Sequence, residues 1–144
     1  MRAPYTQLYL HCVWATWDRL PLITPKLEAA LYPAIMEKCR ELKSEVIAIG
    51  GMEDHTHVLV RFHTTVSVAD LVKGMKGSSS HLMTHQVIGV DDFFKWQGAY
   101  GAFTVSKRHV KIVTEYINNQ KKHHAEKSLW EEFEKTETTE NSGD

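Results

Sequence analysis

The chain has 144 residues, 42% of them hydrophobic and 24% charged, which is enough for one folded domain and too little for two. No apolar run approaches the roughly 20 residues that a bilayer-spanning helix needs, and Met1–Tyr5 lacks a charged leader followed by a small-residue cleavage site, so a cytoplasmic protein with no membrane contact is expected. The formal net charge is −1, yet residues 126–144 hold seven acidic and two basic residues, leaving +4 on residues 1–125 together with all nine histidines; a basic body with an acidic tail suits a phosphate-bearing partner. Cys12 and Cys39 belong to no CxxC pair and are expected as buried thiols.

Tyr5–Trp17 alternates, carries β-branched and aromatic residues, and predicts a first strand ended by the turn Asp18-Arg19-Leu20-Pro21. Thr24-Pro25 is an N-cap followed by a proline at the first helical position. Leu27, Leu31, Ile35, Cys39 and Leu42 then recur at helical spacing, with Pro33 expected to kink or delay the helix. Glu45–Ile49 predicts a short second strand stopped by Gly50-Gly51. His55–Phe62 is a third strand of period two, with Thr56, Val58, Val60 and Phe62 on one face and His55, His57, Leu59 and Arg61 on the other.

Ser67 with Asp70 forms a capping box opening a second helix through Leu71, Val72 and Met75, weakened in its middle by Gly74 and Gly77. A loop containing Asp91-Asp92-Phe93-Phe94 leads to a fourth strand, Ala99–Val105. Ser106 caps a last long helix with Val110, Val113 and Ile117 on one stripe. Ser128 with Glu131 marks a short capped segment. The order predicts an α+β, ferredoxin-like βαββαβ antiparallel sheet with an additional C-terminal helix. The histidine face of the third strand is then expected on the more open side of the sheet. Residues 1–133 are expected as a single domain and 134–144 as a polar, acidic, disordered tail.

His55 and His57 are two apart on a strand, so both imidazoles project the same way, which is the spacing at which two nitrogens share one ion. The bland alternative is a pair of surface histidines. Asp54 either completes or orients such a site, or simply ends the Gly50-Gly51 turn. Tyr116 and Gln120 are four apart on the last helix and are presented together. Arg61, Lys73, Lys76, Lys107, Arg108 and Lys111 are candidate contacts to a partner's phosphates, while Trp96, Phe93 and Phe94 either stack on unpaired bases or pack under the last strand. Lys73–Ser80 does not match GxxxxGK[ST], so no nucleotide triphosphate is expected.

Taken in order, a set of blocks resembles the single-tyrosine HUH transposases of bacterial insertion sequences, the IS200-like family, and their relatives associated with repetitive palindromes. These are Val13–Thr16 with Arg19, Gly51–Val60 around the histidine pair, Lys73–Ser79, Trp96–Phe103, and Tyr116-Ile117-Asn118-Asn119-Gln120 with His123-His124. The residue between the histidines is usually bulky and hydrophobic in that family; here it is Thr56.

The resemblance implies a transposase that cleaves and rejoins single-stranded DNA. Tyr116 would be the nucleophile, and His55, His57 and Gln120 would bind Mg²⁺ or Mn²⁺. It further implies a 5′-phosphotyrosine intermediate, an imperfect DNA hairpin as partner, and a homodimer. With the sheet order 4-1-3-2, the first strand separates the histidines from the strand before the tyrosine helix. That helix must swing back over its own sheet or reach a second subunit; a shared site is expected, with Gly98 and Gly101 easing approach to the symmetry mate. Alternatives are a domesticated DNA-processing enzyme of the palindrome-associated type, a non-catalytic single-stranded nucleic-acid-binding module of ferredoxin-like fold, and a zinc hydrolase using the HxH pair.

Overall fold

A computed structural model describes residues 1–87 and 93–138; Asp91 and Asp92 of the predicted loop, and the tail from residue 139, lie outside the described residues. Strand β1 (Tyr9–Ala15) is followed by α1 (Pro25–Glu41), β2 (Glu45–Met52), β3 (His55–Arg61) and α2 (Val68–Leu82). Then come β4 (Gly101–Val105), α3 (Val110–Asn118) and α4 (Gln120–Glu126). All pairings are antiparallel, in the order β2-β3-β1-β4. This is the expected ferredoxin-like sheet.

Local chemistry explains most element boundaries. Thr24 accepts a hydrogen bond from the Leu27 amide, with Pro25 at the first helical position. Ser67 accepts one from the Asp70 amide at 3.0 Å. Leu10, Cys12 and Trp14 of β1 and Val58 and Val60 of β3 pack with Leu27, Leu31, Ile35 and Cys39 of α1 and with Leu71, Val72 and Met75 of α2. Both cysteines are free and buried there.

Several sequence expectations need correcting. Pro33 sits inside a continuous α1. Strand β2 runs through Gly50-Gly51 to Met52, because those glycines pair with His57 and Thr56. The first strand starts only at Tyr9, and the fourth only at Gly101. Ser106 makes no backbone cap; its hydroxyl meets His109 Nδ1 at 2.7 Å, and a 3₁₀ turn precedes α3. The last helix breaks at Asn119 (φ −107°, ψ 24°), so Tyr116 and Gln120 lie on successive helices. Ser128 does not cap the following segment; its hydroxyl bonds His123 Nδ1 at 3.0 Å.

The largest correction concerns the histidine face, which is not open. After β4 the chain folds back over its own sheet, and Val113, Tyr116 and Ile117 pack with Tyr9, Ala48, Leu59 and Val105. The sheet therefore has apolar cover on both faces. His11, His55 and His57 are 0%, 2% and 0% exposed.

Candidate active site

The register sets the site. Val13 faces His57 and Ala15 faces His55 across β1 and β3, and His11 faces Phe103 across β1 and β4. Residues opposite one another in a ladder point to the same side, so His11, His55 and His57 share one face. Gly50 pairs with His57 on the same face. A Cβ built there would stand 2.3 Å from the carbonyl oxygen of Ile117. Only glycine lets α3 come this close, and α3 brings the tyrosine.

Each histidine is oriented from behind. Nδ1 of His55 lies 2.7 Å from Asp54 Oδ1, and this hydrogen bond holds the Asp54 carboxyl below its ordinary pKa. Asp54 therefore accepts from Nδ1–H, leaving the lone pair of His55 on Nε2. His57 Nδ1 meets His11 Nε2 at 2.8 Å. Burial, reinforced by His57, depresses the pKa of His11 to about 3. Burial likewise keeps His57 below its ordinary value, against the upward pull of Glu134. Both rings are neutral near neutral pH.

On the inner side the donor atoms converge. Gln120 Oε1 lies 3.1 Å from His55 Nε2 and 3.0 Å from His124 Nε2, and the two histidine nitrogens are 3.3 Å apart. Glu134 Oε2 is 2.6 Å from His57 Nε2 and 3.9 Å from His55 Nε2. Its other oxygen is 3.4 Å from His124 Nε2 and accepts from the Tyr116 hydroxyl at 3.0 Å. Ligand atoms of His55, His124 and Glu134 all lie within 4.8 Å of one another.

Despite the 2.6 Å separation, neither His57 Nε2 nor Glu134 Oε2 has a partner in hydrogen-bonding geometry. Lone pairs facing lone pairs repel unless a proton or a cation lies among them. Reversing the Gln120 amide would satisfy His55 and His124 but strand its oxygen, since its amide nitrogen has no partner. Imidazole, amide and carboxylate donors at these spacings fit a divalent ion.

Tyr116 is 1% exposed. Its ring stacks on Trp130 with centroids 4.6 Å apart at 17° and lies edge-on to His57 at 5.9 Å. Its oxygen accepts the Trp130 amide at 3.2 Å. Burial pushes its pKa up to about 12, with the donors from Trp130 and Gln120 pulling the other way. Burial would also raise Glu134, but the neighbouring His57 and His55 and the Tyr116 hydroxyl together hold its carboxyl below the ordinary carboxylate range.

His55, His57, Tyr116 and Gln120 are thus brought together within this one chain. Gly101 serves the chain itself: a Cβ there would stand 2.0 Å from the Lys135 carbonyl oxygen, whereas nothing described lies within 4 Å at Gly98.

The candidate DNA cations are not gathered. Lys73 and Lys76 ride α2, beyond the sheet from the site, and Lys76 Nζ is spent on the carbonyls of Gln97 and Ala99 at 2.6 and 3.3 Å. Arg61 reaches the Thr6 carbonyl at 3.3 Å. Lys107, Arg108 and Lys111 are exposed at the start of α3. Trp96 packs edge-on against Trp14 and Phe94 and donates to Ser79 at 3.1 Å, while Phe93 is exposed.

The sequence profile of the family described as IS200-like transposases matches residues 4–120. The chain belongs to the IS200-like transposase family. A crystal structure of a Deinococcus radiodurans R1 protein assigned as a transposase is similar, with 25% identity and a TM-score of 0.61, covering 83% of this chain and 95% of that one. The structure of a REP-associated tyrosine transposase bound to a REP hairpin shares the fold at 14% identity and a TM-score of 0.62, covering 90% of this chain and 74% of that one. No curated protein sequence matches the chain. No helix among the described residues of this transposase is long and apolar enough to cross a membrane.

His11, His124, Trp130 and Glu134 complete the site without having been assigned roles from sequence. The alternation of β1 puts His11 on the face of Val13, and once β1 is paired with β3 that alternation identifies it. His124 follows Gln120 by one helical turn. Glu134 carries no local signal.

Proposed function

We propose that this transposase cleaves and rejoins single-stranded DNA with Tyr116 as nucleophile, at a divalent-metal site built by His55, His57 and Gln120. One observation carries the reading: a single small anion, the Glu134 carboxylate, touches both the Tyr116 hydroxyl at 3.0 Å and His57 Nε2 at 2.6 Å. A phosphate in that place would meet the nucleophile and the ligand nitrogens together. Mg²⁺ or Mn²⁺ held there supplies charge stabilisation for a non-bridging phosphate oxygen.

The chain does the rest. Asp54 and His11 fix the two imidazoles from behind, as outer-shell partners do in metal sites generally. Tyr116 attacks phosphorus as its phenol gives up a proton; the bond to the 3′-oxygen breaks, and that oxygen leaves as a hydroxyl. The 5′-phosphotyrosine retains the energy of the phosphodiester. A second 3′-hydroxyl then attacks it, restoring the phenol and the DNA without a nucleotide triphosphate. A cytoplasmic location and a hairpin-bearing single strand as substrate accord with this chemistry, and the fold shared with the hairpin-bound transposase supports the latter. A homodimer, which the family resemblance implies, would carry two such sites.

A sheet that binds single strands through exposed aromatics is disfavoured, because α3 and the C-terminal segment cover the face that would do so. The test is a labelled single-stranded substrate on a denaturing gel. Wild type should form a protein–DNA adduct that chelator suppresses, and Tyr116→Phe should form none. An adduct persisting in Tyr116→Phe would overturn the nucleophile, and one undiminished in excess chelator would overturn the metal.

A further inference from the structure

Tyr116 cannot reach DNA in the arrangement described. Its ring is covered by Trp130, and its hydroxyl is engaged by the Trp130 amide and the Glu134 carboxylate. The covering segment is built to seat. Phe133 packs edge-on against His11 at 4.9 Å and at a tilt against Phe103 at 5.6 Å. The backbone of Lys135 passes so close to β4 that only glycine fits at position 101. Residues 130–135 also lie beyond the span matched by the family profile, which ends at 120.

We propose that Glu134 is a ligand of the same divalent ion, with His124 beside it, and that the ion thereby fastens the C-terminal segment over Tyr116 until DNA displaces it. The inference rests on the metal reading of His55 and His57. His57 and Gln120 are buried at 0% and 1% exposure, and His57 Nε2 and Glu134 Oε2 converge without hydrogen-bond geometry. The two imidazoles and the amide are neutral donors, so they leave the charge of a divalent cation uncompensated in a buried place. A carboxylate at that spot supplies both a hard oxygen and a negative charge. The scissile phosphate offers the same two things, so it competes with Glu134 for one position. Entry of DNA is then an exchange of one anion for another, and the segment that leaves with Glu134 uncovers the nucleophile.

The test is direct titration of Mn²⁺ into the DNA-free protein by calorimetry, with hydrogen exchange at residues 128–134 read in parallel. Wild type should bind Mn²⁺, and His57→Ala should not. Glu134→Gln keeps the size of the side chain but removes its charge. It should weaken Mn²⁺ at least about tenfold, since loss of outer-shell partners alone costs about 10–100-fold in metal affinity. Mn²⁺ should slow exchange of the segment in wild type but not in Glu134→Gln. Gly101→Ala, which drives the Lys135 backbone away while leaving every ligand intact, should weaken Mn²⁺ in the same direction. Failure of wild type to bind Mn²⁺ overturns the metal reading itself. Binding that is lost in His57→Ala but equal or tighter in Glu134→Gln overturns only the role of Glu134.

Discussion

Substituting Gly50 by alanine tests whether the tyrosine helix works while resting on its own sheet. The new Cβ would lie 2.3 Å from the Ile117 carbonyl oxygen and 3.3 Å from its carbon. No glycine among the described residues has positive φ, so the substitution adds bulk without backbone strain. An ordinary carbon–oxygen contact of about 3.3 Å requires something to move by about 1 Å, because close-packed interiors hold no slack. Strand β2 is paired with β3 and backed by α1, whereas α3 is covered at Tyr116 by Trp130 and Phe133 of the C-terminal segment. The helix is therefore the part that yields, carrying Tyr116 and Gln120 away from His55 and His57.

Overpacking of this kind costs about 1–3 kcal/mol, or a melting temperature lowered by about 3–10 °C for a chain of this size. A displacement near 1 Å costs about 10²-fold in a chemical step. Single-turnover cleavage, measured well below the melting temperature, should fall by that order. Gly77→Ala, with nothing described within 4 Å, should cleave normally. Wild-type cleavage and melting in Gly50→Ala would refute the reasoning, since α3 would then not lie on its own strand in the working enzyme.

Thr56 is fully buried and its hydroxyl has no partner, so Thr56→Val should stabilise the fold by about 1–2 kcal/mol; an unchanged or lower denaturant midpoint would show that the hydroxyl is satisfied. The metal-free protein should lose stability on acidification. The folded pKa of His11 lies near 3, below its unfolded 6.5, so between those values the unfolded chain binds the extra proton, and each unit of fall costs about 1.4 kcal/mol. A flat stability profile from pH 6.5 to 4.5 would contradict that burial. Mixing Tyr116→Phe with His57→Ala under subunit exchange should leave cleavage dead, because each site in the heterodimer keeps one defect when tyrosine and histidines come from one chain. Recovery of activity would establish a shared site instead.

The parts legible in the sequence are those written in local periodicity. The alternation of His55–Arg61 correctly separates the histidines from Val58 and Val60, and the caps at Thr24 and Ser67 start helices where their side chains accept the first free amides. What periodicity cannot express is which layer covers a face. The same alternation is compatible with an open histidine face or a buried one; burial depends on α3 folding back over the sheet, a long-range event. Gly50-Gly51 illustrates the ambiguity, since adjacent glycines suit a strand end as well as a strand approached by another backbone. The choice is settled by Ile117, 67 residues after Gly50. Glu134 is harder still. Its position depends on the break at Asn119, the left-handed turn at Lys127 (φ 55°) and the seating of Phe133 against His11, none of which has a repeating pattern. Yet its chemistry explains why such a segment matters: a divalent cation on buried neutral donors would need an anion beside it, and Glu134 could provide one without any DNA present.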